Sequence, residues 1–155
     1  MAKYEEYGYN IQNGKIIIPE WETEIKEGAF GGCSNLTSVS IPPSVTQIGY
    51  DAFKGCSSLA SVSIPPSVTE IGDYAFSGCS GLASISIPPS VTEIGGWAFY
   101  GCSSLTSISI PESVPEIGRR AFWGCTTLTE VCIPKDCNVH YNAFEDYPNV
   151  QIIRY

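Results

Sequence analysis

The sequence predicts an α/β solenoid, in which a 23-residue unit repeats along the chain and winds into successive coils. Phenylalanine recurs every 23 residues, and cysteine and leucine follow it three and six positions later. A repeat of this length is typical of solenoids, because one unit buries its apolar face only against its neighbours. The recurring residues are Phe30, Phe53, Phe76, Phe99 and Phe122, then Cys33, Cys56, Cys79, Cys102 and Cys125, then Leu36, Leu59, Leu82, Leu105 and Leu128.

Composition narrows the functional classes. The chain has 155 residues, of which 43% are hydrophobic and 15% charged, and its formal net charge is −8. This apolar content excludes a disordered chain. The acidic balance argues against nucleic-acid partners and anionic membranes, since both need basic patches. The longest aliphatic run is Ile16-Ile17-Ile18, so we expect no membrane insertion, and residues 1–20 contain no apolar segment of a secretory signal.

The first half of each unit predicts a short strand. Val39 and Ile41 alternate about Ser40, which is the pattern of a strand with one buried face. Two prolines follow directly, and proline cannot donate a hydrogen bond to a sheet. We therefore expect one strand per coil and a parallel sheet along the stack.

The second half of each unit returns the chain to the next strand. Val45 and Ile48 are expected to point inward, and Gly49 marks a bend that a side chain would hinder. The pair Ala52 and Phe53 predicts a short helical or 3-10 turn that presses an aromatic ring into the core. The return arc is therefore expected to be less regular than the strand face.

The repeat pattern divides the chain into an N-terminal cap at 1–12, six coils at 13–149, and a final strand with a C-terminal cap at 150–155. Tyr7 lies 23 residues before Phe30, so the N-terminal cap is expected to imitate a coil. Open solenoid ends need such covers, and poorly covered end coils would allow self-association.

The C-terminal end departs from the repeat in two ways. The unit that starts at Leu128 is one residue short, and Val150, Ile153 and Tyr155 are expected to fill the first three apolar positions of the final strand. The other departures suggest a polar cap, and they are Asp136, Asn138, Glu145 and Asp146, with Tyr147 in place of the repeated cysteine.

Two repeated motifs resemble a known family. Ile-Pro-Pro-Ser-Val-Thr-Glu-Ile-Gly occurs at 64–72 and 87–95, and Ala-Phe-x-Gly-Cys occurs at 52–56 and in the three following coils. They closely resemble the BspA-like, or Treponema pallidum-type, leucine-rich-repeat class. The resemblance implies a right-handed leucine-rich-repeat coil with a parallel concave sheet. It also implies a bacterial, secreted or cell-surface location, and adhesion or host-protein binding. The missing signal sequence leaves a cytoplasmic location, or an excised or engineered domain, open.

The cysteines and the single histidine predict no cofactor, metal or catalytic centre. The five repeated cysteines form one inward column of small apolar side chains with weak S–H donors, and we expect them to be free. Cys132 occupies an outward strand position and Cys137 an inward one, which argues against a zinc site with His140. No residue pattern around these groups suggests a nucleophile and its base, so the chain is predicted to be non-enzymatic.

Recognition is expected where the repeats vary, on the turns of the return arc. These positions hold aromatic and basic residues of the kind enriched in protein interfaces. The alternative is that the same side chains only cover gaps between coils. We call this set the return-turn patch, and it comprises Tyr50, Lys54, Tyr74, Trp97, Tyr100, Arg119, Arg120 and Trp123.

The strand face offers a second candidate surface, a flat hydroxyl lattice suited to a glycan or to ice. Its alternative is a solvated face of small residues. A structural, consensus or engineered scaffold without a natural ligand is a further hypothesis, because the strand faces are nearly identical. The strand-face serines are Ser38, Ser40, Ser61, Ser63, Ser84, Ser86, Ser107 and Ser109.

Overall fold

The structure, a computed structural model, describes residues 2–144 and 150–155. In this part of the chain one short helix precedes thirteen short strands. In chain order these elements are α1 (Lys3–Glu6), β1 (Lys15–Ile17), β2 (Glu24–Ile25), β3 (Ser38–Ser40), β4 (Gln47–Ile48), β5 (Ser61–Ser63), β6 (Glu70–Ile71), β7 (Ser84–Ser86), β8 (Glu93–Ile94), β9 (Ser107–Ser109), β10 (Glu116–Ile117), β11 (Glu130–Ile133), β12 (Asn138–Val139) and β13 (Gln151–Arg154).

Odd-numbered strands line one face of the solenoid and even-numbered strands line the return arc. All strand pairs are parallel, and most join residues 23 apart, such as Ser61 with Ser84 and Glu70 with Glu93. The hydrogen-bonded groups are β1-β3, β5-β7 and β9-β11-β13 on the strand face, and β2-β4-β6-β8 and β10-β12 on the return arc. The predicted parallel solenoid of 23-residue coils is confirmed.

The expected helical or 3-10 turns on the return arc are wrong. In the described part of the chain the only helix is α1, and Ala52 and Phe53 lie in a turn. The reason is that bonds along the chain alternate with bonds between coils, so that the amides of Ala52 and Lys54 donate to carbonyls three residues earlier but the amide of Phe53 does not. The amide of Phe53 donates to the carbonyl of Ala75 at 2.8 Å, so it is not available for a helical bond. The return arc instead carries the second set of parallel strands.

The phenylalanine rings form a continuous stack through the core. Phe76 is completely buried and lies 5.3 Å from Phe53 and 5.5 Å from Phe99 between ring centroids, with interplanar angles of 7° and 3°. At the N-terminal end the stack continues to Tyr9, 5.4 Å from Phe30. The cap therefore presents Tyr9 rather than Tyr7, because α1 and a left-handed turn at Gly8 replace the expected coil.

The cysteine column connects each coil to the one before it. The Cys79 thiol donates to the carbonyl of Phe53 at 3.1 Å, and the Cys102 thiol donates to that of Phe76 at 3.2 Å. All seven cysteines are free. Burial raises the pKa of the Cys79 thiol to about 12, with a small opposing effect from its backbone hydrogen bonding. The predicted column of buried, protonated thiols is confirmed, and its role is structural.

Glycine is required where the return arc bends, because neighbouring coils approach closely there. A Cβ atom at Gly49 would lie 2.7 Å from the carbonyl oxygen of Ile25, and one at Gly72 would lie 2.9 Å from the carbonyl carbon of Gly49. Contacts this short are sterically forbidden, so the backbone itself packs against the preceding coil. The bend predicted at Gly49 is confirmed.

Pro115 interrupts the sheet of the return arc. The amide of Thr92 donates to the carbonyl of Thr69 at 2.8 Å, and Thr46 and Thr69 repeat this bond in earlier coils. Pro115 occupies the next position of the column and has no N–H to donate. No ladder joins β8 and β10, and a groove of about 440 Å³ remains at the interruption.

The final strand takes a different register from the predicted one. β13 pairs with β11 so that Ile152 lies opposite Val131 and Arg154 opposite Ile133. The expectation that Ile153 and Tyr155 fill these apolar positions is wrong by one residue. The paired residues of β11 and β13 are 21 positions apart, one fewer than expected. The Arg154 guanidinium instead donates to the carbonyls of the turn after β11, at 2.9 Å to Lys135. The expected cap residues Glu145, Asp146 and Tyr147 lie outside the described residues.

We predict that the buried thiols make the protein sensitive to alkali. An unfolded thiol ionises above its ordinary pKa of about 9, whereas folded Cys79 stays protonated until about pH 12. The unfolded state therefore binds fewer protons in this range, and the free energy of unfolding falls by up to about 1.4 kcal/mol per pH unit for each such thiol. Urea unfolding between pH 8 and 11 measures this slope.

The Cys79→Ala variant serves as the matched comparison. It is expected to be less stable at pH 8, since a buried hydrogen bond is lost, but its stability should fall less steeply towards pH 11. Equal slopes in the two proteins would contradict the assignment of the alkaline loss to this column.

Candidate protein-binding surface

In four successive coils, the residue two positions before the buried phenylalanine adopts a backbone conformation that normally favours glycine. Their φ angles are +55° at Asp51, +57° at Tyr74, +55° at Trp97 and +50° at Arg120, and the first coil has Gly28 at the same position with a φ of +61°. The left-handed conformation costs an L-residue roughly 1–2 kcal/mol. Tyr74, Trp97 and Arg120 thus place large side chains at positions where the backbone conformation favours glycine.

The turn that contains these residues explains why the conformation is imposed. The Trp97 amide donates to the carbonyl of Arg119 in the next coil at 2.9 Å, and the Phe99 amide donates to that of Ala121 at 2.9 Å. The backbone is therefore fixed between coils while Phe99 is buried in the core. The side chain two positions earlier is directed to the outside, where its identity does not affect the core.

Planar side chains from four successive coils form a row along this surface. The Tyr74 and Trp97 rings are stacked at 5.1 Å with an interplanar angle of 10°, and Tyr50 meets Tyr74 edge to face at 5.8 Å. The Arg119 guanidinium lies 5.5 Å from the centroid of the Trp97 ring. Each coil contributes one planar group to this row, which we call the planar ladder: Tyr50, Tyr74, Trp97 and Arg119.

Lys54 joins the ladder from the side and is neutralised locally. Its ammonium group lies 5.0 Å from the centroid of the Tyr74 ring and 3.3 Å from the Asp51 carboxylate. The lysine side chain is 47% exposed, so this ion pair contributes little to stability. The Lys54 ammonium is therefore paired with a carboxylate of its own coil.

The remaining residues of the return-turn patch do not belong to the ladder. The Arg120 guanidinium lies 5.1 Å from the centroid of the Trp123 ring, and its buried Nε has no hydrogen-bond partner in the described structure. Tyr100 is 37% exposed, and no ring stacks on it among the described residues. The structure thus divides the predicted patch into the planar ladder with Lys54, an Arg120–Trp123 pair, and Tyr100.

The specific ring contacts of the ladder and its backbone strain are of similar size. An aromatic pair contributes about 0.5–1.5 kcal/mol beyond burial, and an exposed cation–π contact contributes about 0.5–1 kcal/mol. The left-handed backbone at Tyr74 and Trp97 opposes this by roughly 1–2 kcal/mol for each residue. Tyr74 and Trp97 are also partly buried, so the area they cover between coils adds to the stabilising side and accounts for part of their presence.

A column of acidic side chains runs along the return arc. Glu93 and Glu116 are exposed and flank the gap at Pro115, where Asp73 also lines the groove. Within residues 2–144 and 150–155, no three histidine, cysteine or acidic side chains are grouped so that they could hold a metal ion. The exposed side chains of Glu24, Glu93 and Glu116 form a solvated negative stripe.

The strand-face serines are all exposed, and the lattice they form is interrupted. Ser61 pairs with Ser84 and Ser63 with Ser86, but no ladder joins β3 to β5 or β7 to β9. Cys132, expected to be exposed at the end of this face, is only partly exposed because Ile153 pairs beside it. The hydrogen-bond ladder of this face is therefore interrupted, while the strands remain neighbours along the stack.

The cysteine and histidine residues near the C-terminus are not assembled into a common site. Cys137 is buried and its thiol faces the carbonyl of Asn138 at 3.7 Å, while Cys132 lies on the strand face. The His140 ring packs on Tyr141 at 4.5 Å.

Comparison with known proteins identifies the class. Six copies of the family profile described as the BspA type leucine rich repeat region match residues 23–151. The chain therefore belongs to the BspA-type leucine-rich-repeat family. This family is a class of non-enzymatic repeat scaffolds, and leucine-rich-repeat domains generally mediate protein interactions. No curated protein matches the chain.

Solved structures agree with this assignment. A leucine-rich repeat protein from Bacteroides ovatus is 27% identical with a TM-score of 0.67, and the match covers 95% of this chain and 51% of that one. The T. pallidum leucine rich repeat protein is 30% identical with a TM-score of 0.62, over 81% and 72% of the two chains. A Eubacterium ventriosum protein, 23% identical with a TM-score of 0.65, covers 91% of this chain and 39% of its own and supports the fold alone. This chain spans about half the length of the B. ovatus protein.

The left-handed turn residues were not recognised from the sequence as a group. The signal was present, because Gly28 occupies the same repeat position as Tyr74, Trp97 and Arg120. A glycine in one copy of a repeat can reveal a conformation that the other copies adopt with larger residues. Asp51, which pairs with Lys54, belongs to the same column and was missed for the same reason.

We predict that glycine is better tolerated than alanine at position 97. Trp97→Gly and Trp97→Ala both remove the stacked ring, but only glycine relieves the left-handed backbone. The glycine variant should therefore be more stable than the alanine variant by about 1 kcal/mol, measured by urea unfolding followed by circular dichroism.

Ala60 provides the matched control, because it is exposed and its φ is not positive. Ala60→Gly should be less stable than the parent by about 0.4–1 kcal/mol, the usual direction for this exchange. If alanine is the better residue at both positions, the column is not strained.

Proposed function

We propose that this protein is a non-enzymatic interaction module that binds a protein partner through the return-turn patch, with the planar ladder at its centre. The observation that carries the proposal is the left-handed column, in which Tyr74 and Trp97 occupy positions that suit glycine. Strained backbone that persists with large side chains is characteristic of functional surfaces, so a role outside the fold accounts for these residues in addition to the area they cover.

The chemistry of the patch supports a protein ligand. Tyrosine, tryptophan and arginine are enriched among the residues that dominate interface energetics. The two aromatic residues bury a large area with few rotatable bonds, and arginine offers a planar fork of hydrogen-bond donors. The ladder presents these groups as one row across four coils, and the fixed backbone between coils pre-organises them. Pre-organisation reduces the conformational entropy lost on binding.

Family membership supports a proposal about where this protein acts. We propose a role in adhesion or host-protein binding at the bacterial cell surface, with the protein secreted or surface-attached, as the resemblance implies. No helix among the described residues is long and apolar enough to cross a membrane.

A binding panel tests the proposal. The complete chain is immobilised and exposed to extracellular-matrix and cell-surface proteins, and the dissociation constant is measured for any ligand found. The double variant Tyr74→Gly and Trp97→Gly removes the ladder rings and relieves the backbone, so it is expected to fold and to weaken binding at least tenfold.

The double variant Ser84→Lys and Ser107→Lys is the matched control, because it alters the strand face alone. It is expected to bind like the parent. Equal binding by the ladder variant, with unchanged stability, would contradict the proposal.

The strand face supports a second candidate function, binding of a glycan or of ice. The specific observation is the exposed, in-register pairing of Ser61 with Ser84 and Ser63 with Ser86. Loss of glycan binding or ice shaping in Ser84→Lys, with the ladder variant unaffected, would favour this candidate. A scaffold without a natural ligand would show no binding by either surface.

A further inference from the structure

We infer that the Arg119 end of the planar ladder receives a carboxylate from a short acidic segment of the protein partner. This inference rests on the proposed function and names the chemistry of that partner. Two cations contact the aromatic rings of the ladder, Lys54 at Tyr74 and Arg119 at Trp97, and they differ in their ion-pair partners. Lys54 has a carboxylate from its own coil, whereas the described residues provide none within 4.0 Å of Arg119.

The contrast is informative because acidic groups are abundant in this chain. It carries sixteen acidic and eight basic residues, and an acidic column runs along the same return arc. Arg119 nevertheless packs against the Trp97 ring and is exposed. A cation that lies on an aromatic ring without an ion-pair partner is available to an incoming anion.

The position of the guanidinium favours a carboxylate. Contact of the group with the indole ring orders the side chain. The N–H groups lie in the plane of the guanidinium, and a pair of them can donate two parallel hydrogen bonds to one carboxylate. A side chain that is already ordered loses less entropy when it forms these bonds.

Arg120 supplies a second cation from the adjacent residue. Its guanidinium is held against Trp123, and its Nε has no hydrogen-bond partner in the described structure. The fifth coil is thus the one part of the described return arc where two neighbouring arginines both lie on indole rings. An acidic segment with two carboxylates matches this arrangement better than a single isolated charge.

The same surroundings disfavour a long polyanion. Glu93 and Glu116 are exposed on the return arc, and the formal net charge of the chain is −8. A nucleic acid or a sulfated polysaccharide would extend over these carboxylates and be repelled. The groove lined by Asp73, Glu93 and Glu116 reaches Gly96 and Gly118, next to Trp97 and Arg119. A short segment with its carboxylates at the two arginines meets fewer of these groups than a long polyanion does.

Selection from random peptides tests this chemistry without knowledge of the natural partner. A library of displayed peptides about 12 residues long is selected against the immobilised complete chain, and selected sequences are synthesised and titrated by fluorescence anisotropy. We expect aspartate and glutamate to be enriched together with apolar residues, and affinity to fall as salt concentration rises.

Three variants separate the contribution of the Arg119 charge to peptide binding from that of its planar guanidinium. Arg119→Gln should weaken the selected acidic peptides by about tenfold or more, the usual effect of losing a charge-assisted hydrogen bond. Arg119→Lys should retain part of the affinity, because it keeps the charge but loses the planar fork. Lys135→Gln removes an exposed cation in another turn and should change affinity less than twofold.

The outcomes separate this inference from the proposed function. Peptides that need Trp97 but show no acidic preference, and bind Arg119→Gln like the parent, would overturn the inference and leave the proposed function standing. Peptides that bind the Tyr74→Gly and Trp97→Gly variant like the parent, or a library that yields no binder, would contradict both. Tight heparin binding lost in Arg119→Gln would replace the acidic segment with a polyanion.

Discussion

The structure depends on one constraint, that each coil must match its neighbour residue for residue in the core. The stacked rings at Phe53, Phe76 and Phe99 are about one coil spacing apart, and the amides of the same residues donate to the next coil. Thiol hydrogen bonds such as Cys79 to Phe53 keep the same register. Any change in coil length would displace all of these contacts together, which explains why the repeat length is constant through the middle of the chain.

The same constraint determines which positions of the coil keep one residue type and which vary from coil to coil. Inward positions repeat because they contact their own equivalents in adjacent coils. The turn residues before each phenylalanine contact solvent, so Tyr74, Trp97 and Arg120 can differ although their backbone is held in one strained conformation. A rigid backbone with variable outward side chains is the arrangement that a binding surface requires. The fold thus explains both the uniformity of the core and the place where recognition is expected.

Much of the fold could be predicted from the sequence, because a repeated pattern shows the same interaction several times. The strands of the strand face and the buried cysteine column followed directly, whereas the strands of the return arc, where helical turns were expected, did not. The break at Pro115, the register of β13 and the ring of Tyr9 at the N-terminal end could not be predicted by extrapolating the repeat, since each occurs where one copy departs from it. The ladder was predicted only as a list of residues. Its stacking combines two repeat columns, with Tyr50 and Arg119 in one and Tyr74 and Trp97 in the other.

The central claim is that stability comes from contacts between adjacent coils. Comparing the free energies of unfolding of Phe76→Ala and Phe144→Ala tests it most directly, because Phe76 is completely buried between two rings whereas Phe144 is partly buried and packs on Phe122 at 5.3 Å. The account predicts a loss of about 3–5 kcal/mol for Phe76→Ala and a clearly smaller loss for Phe144→Ala. Equal losses, or a loss below about 1 kcal/mol at Phe76, would contradict it.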